Sequence, residues 1–118
     1  MPDTTTTVAD LRHQMQAFVD ARDWRQFHTP KNLSMSLAIE AAELMEHFQW
    51  VDNNEAACRA AEPEHRQAIG EEIADVCCYM LSLVNALDLD LTQIVTDKLA
   101  KNAIKYPAAE FRGKFEKS

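Results

Sequence analysis

A chain of 118 residues is long enough for one domain around one core, and its 12 basic against 19 acidic residues give a formal charge of −7. That balance excludes a general electrostatic attraction to nucleic acid polymers or to an anionic membrane. The polar N-terminus has no apolar signal segment, no apolar run approaches a membrane span, and Cys58, Cys77 and Cys78 suit neither a disulfide framework nor a C-x-x-C zinc site, so the expectation is a single cytoplasmic domain with free thiols.

With 2 Gly and 4 Pro the composition favours helix throughout. The first helix is expected to start near Thr7, with Asp10 completing a capping box, and to run to about Arg22 with Val8, Leu11, Met15 and Phe18 on one stripe. Residues 1–6 read as a flexible tail. Residues 23–32 carry two large aromatics and a proline and read as an ordered connection. A second helix is expected from Thr29-Pro30 to Trp50, because Pro suits a first helical position. Residues 51–62 read as a surface loop, and Pro63 opens a third helix to about Leu87. Asp90, with Gln93 three residues on, caps a fourth helix over Leu91 to Lys105 that Pro107 stops; residues 108–118 read as a second flexible tail. Four striped helices define an all-α four-helix bundle, with the second and third antiparallel and enough apolar surface left over for helical self-association.

Two acid pairs stand out on this frame. Glu40 and Glu43, then Glu72 and Asp75, each have the i, i+3 spacing that places two side chains on one helix face. Glu40 shares a stripe with Leu33, Leu37 and Leu44, while Glu72 and Asp75 flank Ile69, Ile73, Val76, Met80 and Leu83, so the carboxylates lean toward a core. A charge so placed needs a partner. No Lys or Arg occurs between Lys31 and Arg59 or between Arg66 and Lys98, and the i+4 positions of the four acids hold Leu44, His47, Val76 and Tyr79. A solvated acidic face would explain one such pair; two basic-free pairs against apolar stripes favour a bound cation.

The order Glu40-x-x-Glu43, 28 intervening residues, Glu72-x-x-Asp75, then Lys98-x-x-x-Asn102-x-x-Lys105-Tyr106-Pro107, resembles the MazG-like all-α nucleoside triphosphate pyrophosphohydrolases. Arg22-Asp23-Trp24-Arg25-Gln26-Phe27-His28, Pro30-Lys31-Asn32-Leu33 and Phe48-Gln49-Trp50 are similar to the dCTP pyrophosphatase branch, although Met15 stands where that branch tends to place a histidine. The resemblance implies a homotetramer or dimer that hydrolyses a nucleoside triphosphate, dCTP or a modified pyrimidine deoxynucleotide first, to monophosphate and pyrophosphate in nucleotide-pool house-cleaning. It implies Mg²⁺, with Mn²⁺ as a substitute, on Glu40, Glu43, Glu72 and Asp75 as metal-holding and catalytic residues. Oxygen donors on a helical frame suit that hard ion. Lys98, Asn102, Lys105, Tyr106 and Lys31 are the phosphate-binding candidates, and Trp24, His28, Asn32, Trp50 and Tyr79 the base-binding ones.

Spacing also weighs against one rival, because a di-iron bundle needs Glu-x-x-His on two helices and the third helix has no His after its acids. The other alternative is a non-enzymatic helical assembly module whose acids hold a metal or a basic partner.

Overall fold

The computed structural model describes residues 1–116. Among them all regular structure is helical: α1 (Val8–Ala21), a 3₁₀ turn (Arg25–Phe27), α2 (Pro30–Glu46), α3 (Asn53–Ala61), α4 (Pro63–Ala86), α5 (Leu91–Lys105) and α6 (Ala108–Phe111). The starts follow local chemistry. Thr7 and Asp10 exchange side-chain and backbone bonds as a capping box, the Thr29 hydroxyl accepts from Asn32 N–H ahead of Pro30, and the Asp90 carboxylate accepts from Gln93 N–H. Each satisfies a donor that the first helical turn leaves unpaired.

Three expectations are corrected. Residues 51–62 are not a loop: Asp52 accepts from Glu55 N–H at 2.8 Å and starts α3, where Ala56, Ala57, Ala60 and Ala61 carry the helix. The second helix ends at Glu46 rather than Trp50, and the chain continues in turns in which Phe48 N–H reaches Met45 C=O and Val51 N–H reaches Phe48 C=O. In the tail, Ala108–Phe111 forms the short α6, while residues 117–118 lie outside the described residues.

The chain divides into two compact units, Met1–Asp88 and the segment from Leu89 onward. In the first, α4 is the organising helix: it packs along α2 most extensively and also against α1 and α3. The core is small, with Val19, Leu33, Ile69, Leu81 and Val84 buried. Arg12 and Asn85 tie α1 to α4. After α1 the backbone reverses at Asp23, whose φ of 54° is the left-handed conformation that Asp tolerates, and Trp24 N–H returns to Val19 C=O. That reversal puts Trp24 back beside α1.

The apolar stripe read along α4 is only partly inward. Ile69 is buried and so is Val84 on nearly the same side of the helix, but Ile73 is 53% exposed and Met80 36%. Met35 and Ile39 on α2 are likewise exposed. In the second unit α5 leads into α6, and the Tyr106 ring packs edge-on against Phe111 with centroids 5.3 Å apart. No described helix is long and apolar enough to cross a membrane.

Candidate functional site

The α2–α4 packing brings three of the four acids together. Glu40 and Glu43, one turn apart on α2, and Glu72 on α4 each offer an oxygen within 4.8 Å of the others, and all three are half-buried. Glu40 Oε2 and Glu72 Oε2 are buried without a hydrogen-bond partner. Burial is the largest influence on Glu40, followed by close contact with the Glu72 and Glu43 carboxyls and the charges of Glu43 and Asp75; together they raise its pKa from 4.5 to about 7. Asp75 is thus near enough to repel Glu40, although it stands outside the three-acid group.

This donor set fits a hard divalent cation. It is all oxygen, it converges from two helices, and its two orphaned buried oxygens have no cationic side chain to satisfy them. Mg²⁺ keeps several waters and takes few protein ligands, which a partly open carboxylate cluster permits.

A cavity of about 310 Å³ adjoins the acids, lined by Met15, Phe18, Trp24, His28, Glu40, Asp75, Cys78 and Tyr79. Its volume is in the range of small-molecule sites, and its wall is apolar and aromatic with a few polar groups, as such sites require. The aromatic wall is ordered by its own contacts. Phe18 meets Trp24 edge-on at 5.9 Å, Trp24 stacks with His28 at 6.4 Å, and the Arg22 guanidinium lies 3.7 Å from the Phe18 ring centre. Burial raises the Cys78 pKa above that of an ordinary thiol, with Cys77 and the Asp75 charge adding to the effect.

Of the base-binding candidates, Trp24, His28 and Tyr79 line this cavity together. Asn32 lines a neighbouring cleft with Lys31, and its amide donates to Phe27 C=O at 3.0 Å. Trp50, placed beyond the end of α2, is 86% exposed and does not line this cavity. The phosphate-binding candidates Lys98, Asn102, Lys105 and Tyr106 sit on and just after α5 in the second unit, where Tyr106 N–H donates to Asn102 C=O and Lys105 Nζ lies 5.3 Å from the Tyr106 ring centre. Sequence reasoning did not find Phe18 and Cys78 as cavity residues. Each lies three residues, one helical turn, beyond a residue it did single out, Met15 and Asp75, and that spacing was the available signal.

The helical frame with its carboxylate cluster defines a class. The MazG-like family model matches residues 35–117, and the chain belongs to that family. Among characterised proteins it is similar to dCTP pyrophosphatase 1 of Mus musculus, 39% identical over 107 residues covering 91% of this chain, and of Homo sapiens, 38% identical over 102 residues covering 86%. The chain spans 63% and 60% of the length of those two relatives. Among solved structures it is similar to a pyrophosphatase from Archaeoglobus fulgidus, with a TM-score of 0.77 and 36% identity, over 91% of this chain and 98% of that one.

Proposed function

We propose that this chain is a metal-dependent nucleoside triphosphate pyrophosphohydrolase that converts dCTP or a 5-substituted pyrimidine deoxynucleotide to the monophosphate and pyrophosphate, clearing it from the nucleotide pool. The observation that carries the reading is the cluster of Glu40, Glu43 and Glu72, with two buried unpartnered oxygens, beside an aromatic cavity sized for a base. The names of the relatives, dCTP pyrophosphatase 1, point the same way.

In this reading Glu40, Glu43, Glu72 and Asp75 hold Mg²⁺, or Mn²⁺ in its place. The ion supplies neutralisation of phosphate charge and a more acidic water. Trp24, His28 and Tyr79 hold the base, with stacking on a flat ring contributing about 1 to 3 kcal/mol. Lys98, Asn102, Lys105, Tyr106 and Lys31 take phosphate oxygens, so that the pyrophosphate leaves with its charge compensated. One of Glu40 and Glu43 accepts the proton of the water that adds to the α-phosphorus as the bridge to the β-phosphate breaks. Exposed Trp50, Met35, Ile39, Ile73 and Met80 are covered by self-association, as a tetramer or a dimer. Three free cysteines fit a reducing, cytoplasmic setting.

The test is a panel of canonical and modified nucleoside triphosphates assayed for pyrophosphate release with Mg²⁺. The expected result is turnover led by dCTP and its 5-substituted forms and abolished by excess chelator. Release from none of the panel, or full activity in chelator, would overturn the reading.

A further inference from the structure

The aromatic wall of the Trp24 cavity is built at the C-terminal end of α1, where Arg22 is the residue that ends the helix. Its backbone N–H turns to the Val19 and Asp20 carbonyls, so the donor that a continuing helix would give to Phe18 C=O is directed elsewhere. The Arg22 side chain takes over: Nη1 donates to Phe18 C=O at 3.0 Å. The guanidinium then lies over the Phe18 ring, 3.7 Å from its centre, and 6.0 Å from the centre of the Trp24 ring.

These contacts matter because burial does not hold the two rings. Phe18 is 44% exposed and Trp24 42%, and both line the cavity, whereas Arg22 does not line it. The Phe18 and Trp24 rings meet edge-on, and the reversal at Asp23 that brings Trp24 N–H back to Val19 C=O starts from Arg22. The other arginines at this end of the first unit are committed to polar partners, Arg25 to the Asp20 carboxylate and Arg12 to Asn85. Arg22 instead lays its plane on a ring while one of its nitrogens donates to the backbone beneath. A planar guanidinium can do both at once, and a lysine ammonium cannot.

We infer that Arg22 is a positioning residue for the base: it clamps Phe18, and through Phe18 it holds Trp24 in the orientation that receives the nucleotide. This rests on the placement of the base in the Trp24 cavity proposed above. Arg22 acts through the two rings and not on the nucleotide. A wall ordered in advance spares the ligand the cost of immobilising two partly exposed side chains, so the effect falls on binding.

The experiment sets Arg22→Met, which keeps an unbranched side chain without plane, charge or donors, beside Arg22→Lys, which keeps the charge. In ligand-free protein the indole N–H signal of Trp24, identified by its loss in Trp24→Phe, is expected to shift and to show faster motion in both variants. KM for dCTP is expected to rise about tenfold in both, with kcat moving much less. In a Phe18→Leu background Arg22→Met is expected to add little to KM, because the ring through which it acts is gone. A parental KM in Arg22→Lys overturns the inference in favour of simple charge attraction. A raised KM with an unmoved Trp24 signal, or effects of Arg22→Met and Phe18→Leu that simply multiply, overturns it in favour of direct contact with the nucleotide. A moved signal with a parental KM in both variants overturns any role in substrate binding. Absence of triphosphate turnover in the parent chain would instead overturn the pyrophosphohydrolase reading, and the Trp24 measurement is independent of it.

Discussion

Arg12 and Asn85 exchange two hydrogen bonds across the α1–α4 contact: Arg12 Nε donates to Asn85 Oδ1 at 2.9 Å, and Asn85 Nδ2 donates to Arg12 C=O at 3.1 Å. The pair is part-buried and spans 73 residues of sequence, so it fixes the helix that carries Met15 and Phe18 against the helix that carries Asp75 and Tyr79. Asn85→Ala leaves the Arg12 groups unanswered and is expected to cost about 1 to 3 kcal/mol of stability. Denaturant unfolding checks it, and a double-mutant cycle with Arg12→Ala should recover part of the loss as coupling.

The carboxylates make the second prediction. Glu40→Gln, Glu43→Gln, Glu72→Gln and Asp75→Asn keep side-chain shape and remove charge, so each should lower pyrophosphate release by orders of magnitude while circular dichroism remains helical. Undiminished turnover in all four variants would defeat the assignment of the site.

Glu40 also sets a pH dependence. Its carboxyl titrates at about 7 in the fold against an ordinary 4.5, so between those values the folded chain binds more protons than the unfolded one. The stabilisation is complete below the ordinary value and is lost as pH rises through the folded one. Metal-free protein should therefore unfold at higher denaturant concentration near about pH 5 than near about pH 8, and Glu40→Gln should flatten the difference. Mg²⁺ competes with that proton, so the added stability it confers should grow with pH over the same window.

The aromatic wall makes a kinetic prediction. Trp24 is 42% exposed and stacked on His28, which suits a ring that receives a base better than one that plugs a core. Trp24→Ala should raise KM or lower kcat/KM by roughly one to two orders of magnitude, as loss of a stacking platform would, with Mg²⁺ dependence unchanged. Wild-type kinetics per folded molecule would place the base elsewhere.

Gly70 supplies a stability prediction. It lies inside α4, and a Cβ built on it meets nothing within 4 Å. Close packing within this chain does not require it, and Gly70→Ala should stabilise a helix interior by about 0.5 to 1 kcal/mol. A loss of stability accompanied by a change in molecular mass would show that another copy of the chain approaches there.

Much of this was legible in residues whose meaning is local. Thr7 with Asp10, Thr29 with Pro30, and Asp90 with Gln93 announce helix starts because a cap acts over three residues, and the structure places each as expected. The proximity of Glu40, Glu43 and Glu72 was legible because a helical period and a missing basic partner are both one-dimensional signals. α3 was missed although Asp52 and Glu55 carry the same cap pattern, since a polar, alanine-rich stretch weighs little in a reading based on apolar stripes. The end of α2 was missed because neither Gly nor Pro marks it. The side of α4 that faces inward depends on three different neighbours, α1, α2 and α3, and no single periodicity encodes them all.

The small core has a consequence for handling. Among the described residues five apolar side chains are fully buried, while Met35, Ile39, Trp50, Ile73 and Met80 are in contact with water when the chain is considered singly. If copies of the chain share that surface, part of the folding free energy is an association free energy and obeys mass action. Dilution then acts as a denaturant: the melting temperature should climb with protein concentration across the micromolar range, and a preparation that looks robust at high concentration should lose both helix and turnover when thinned into an assay.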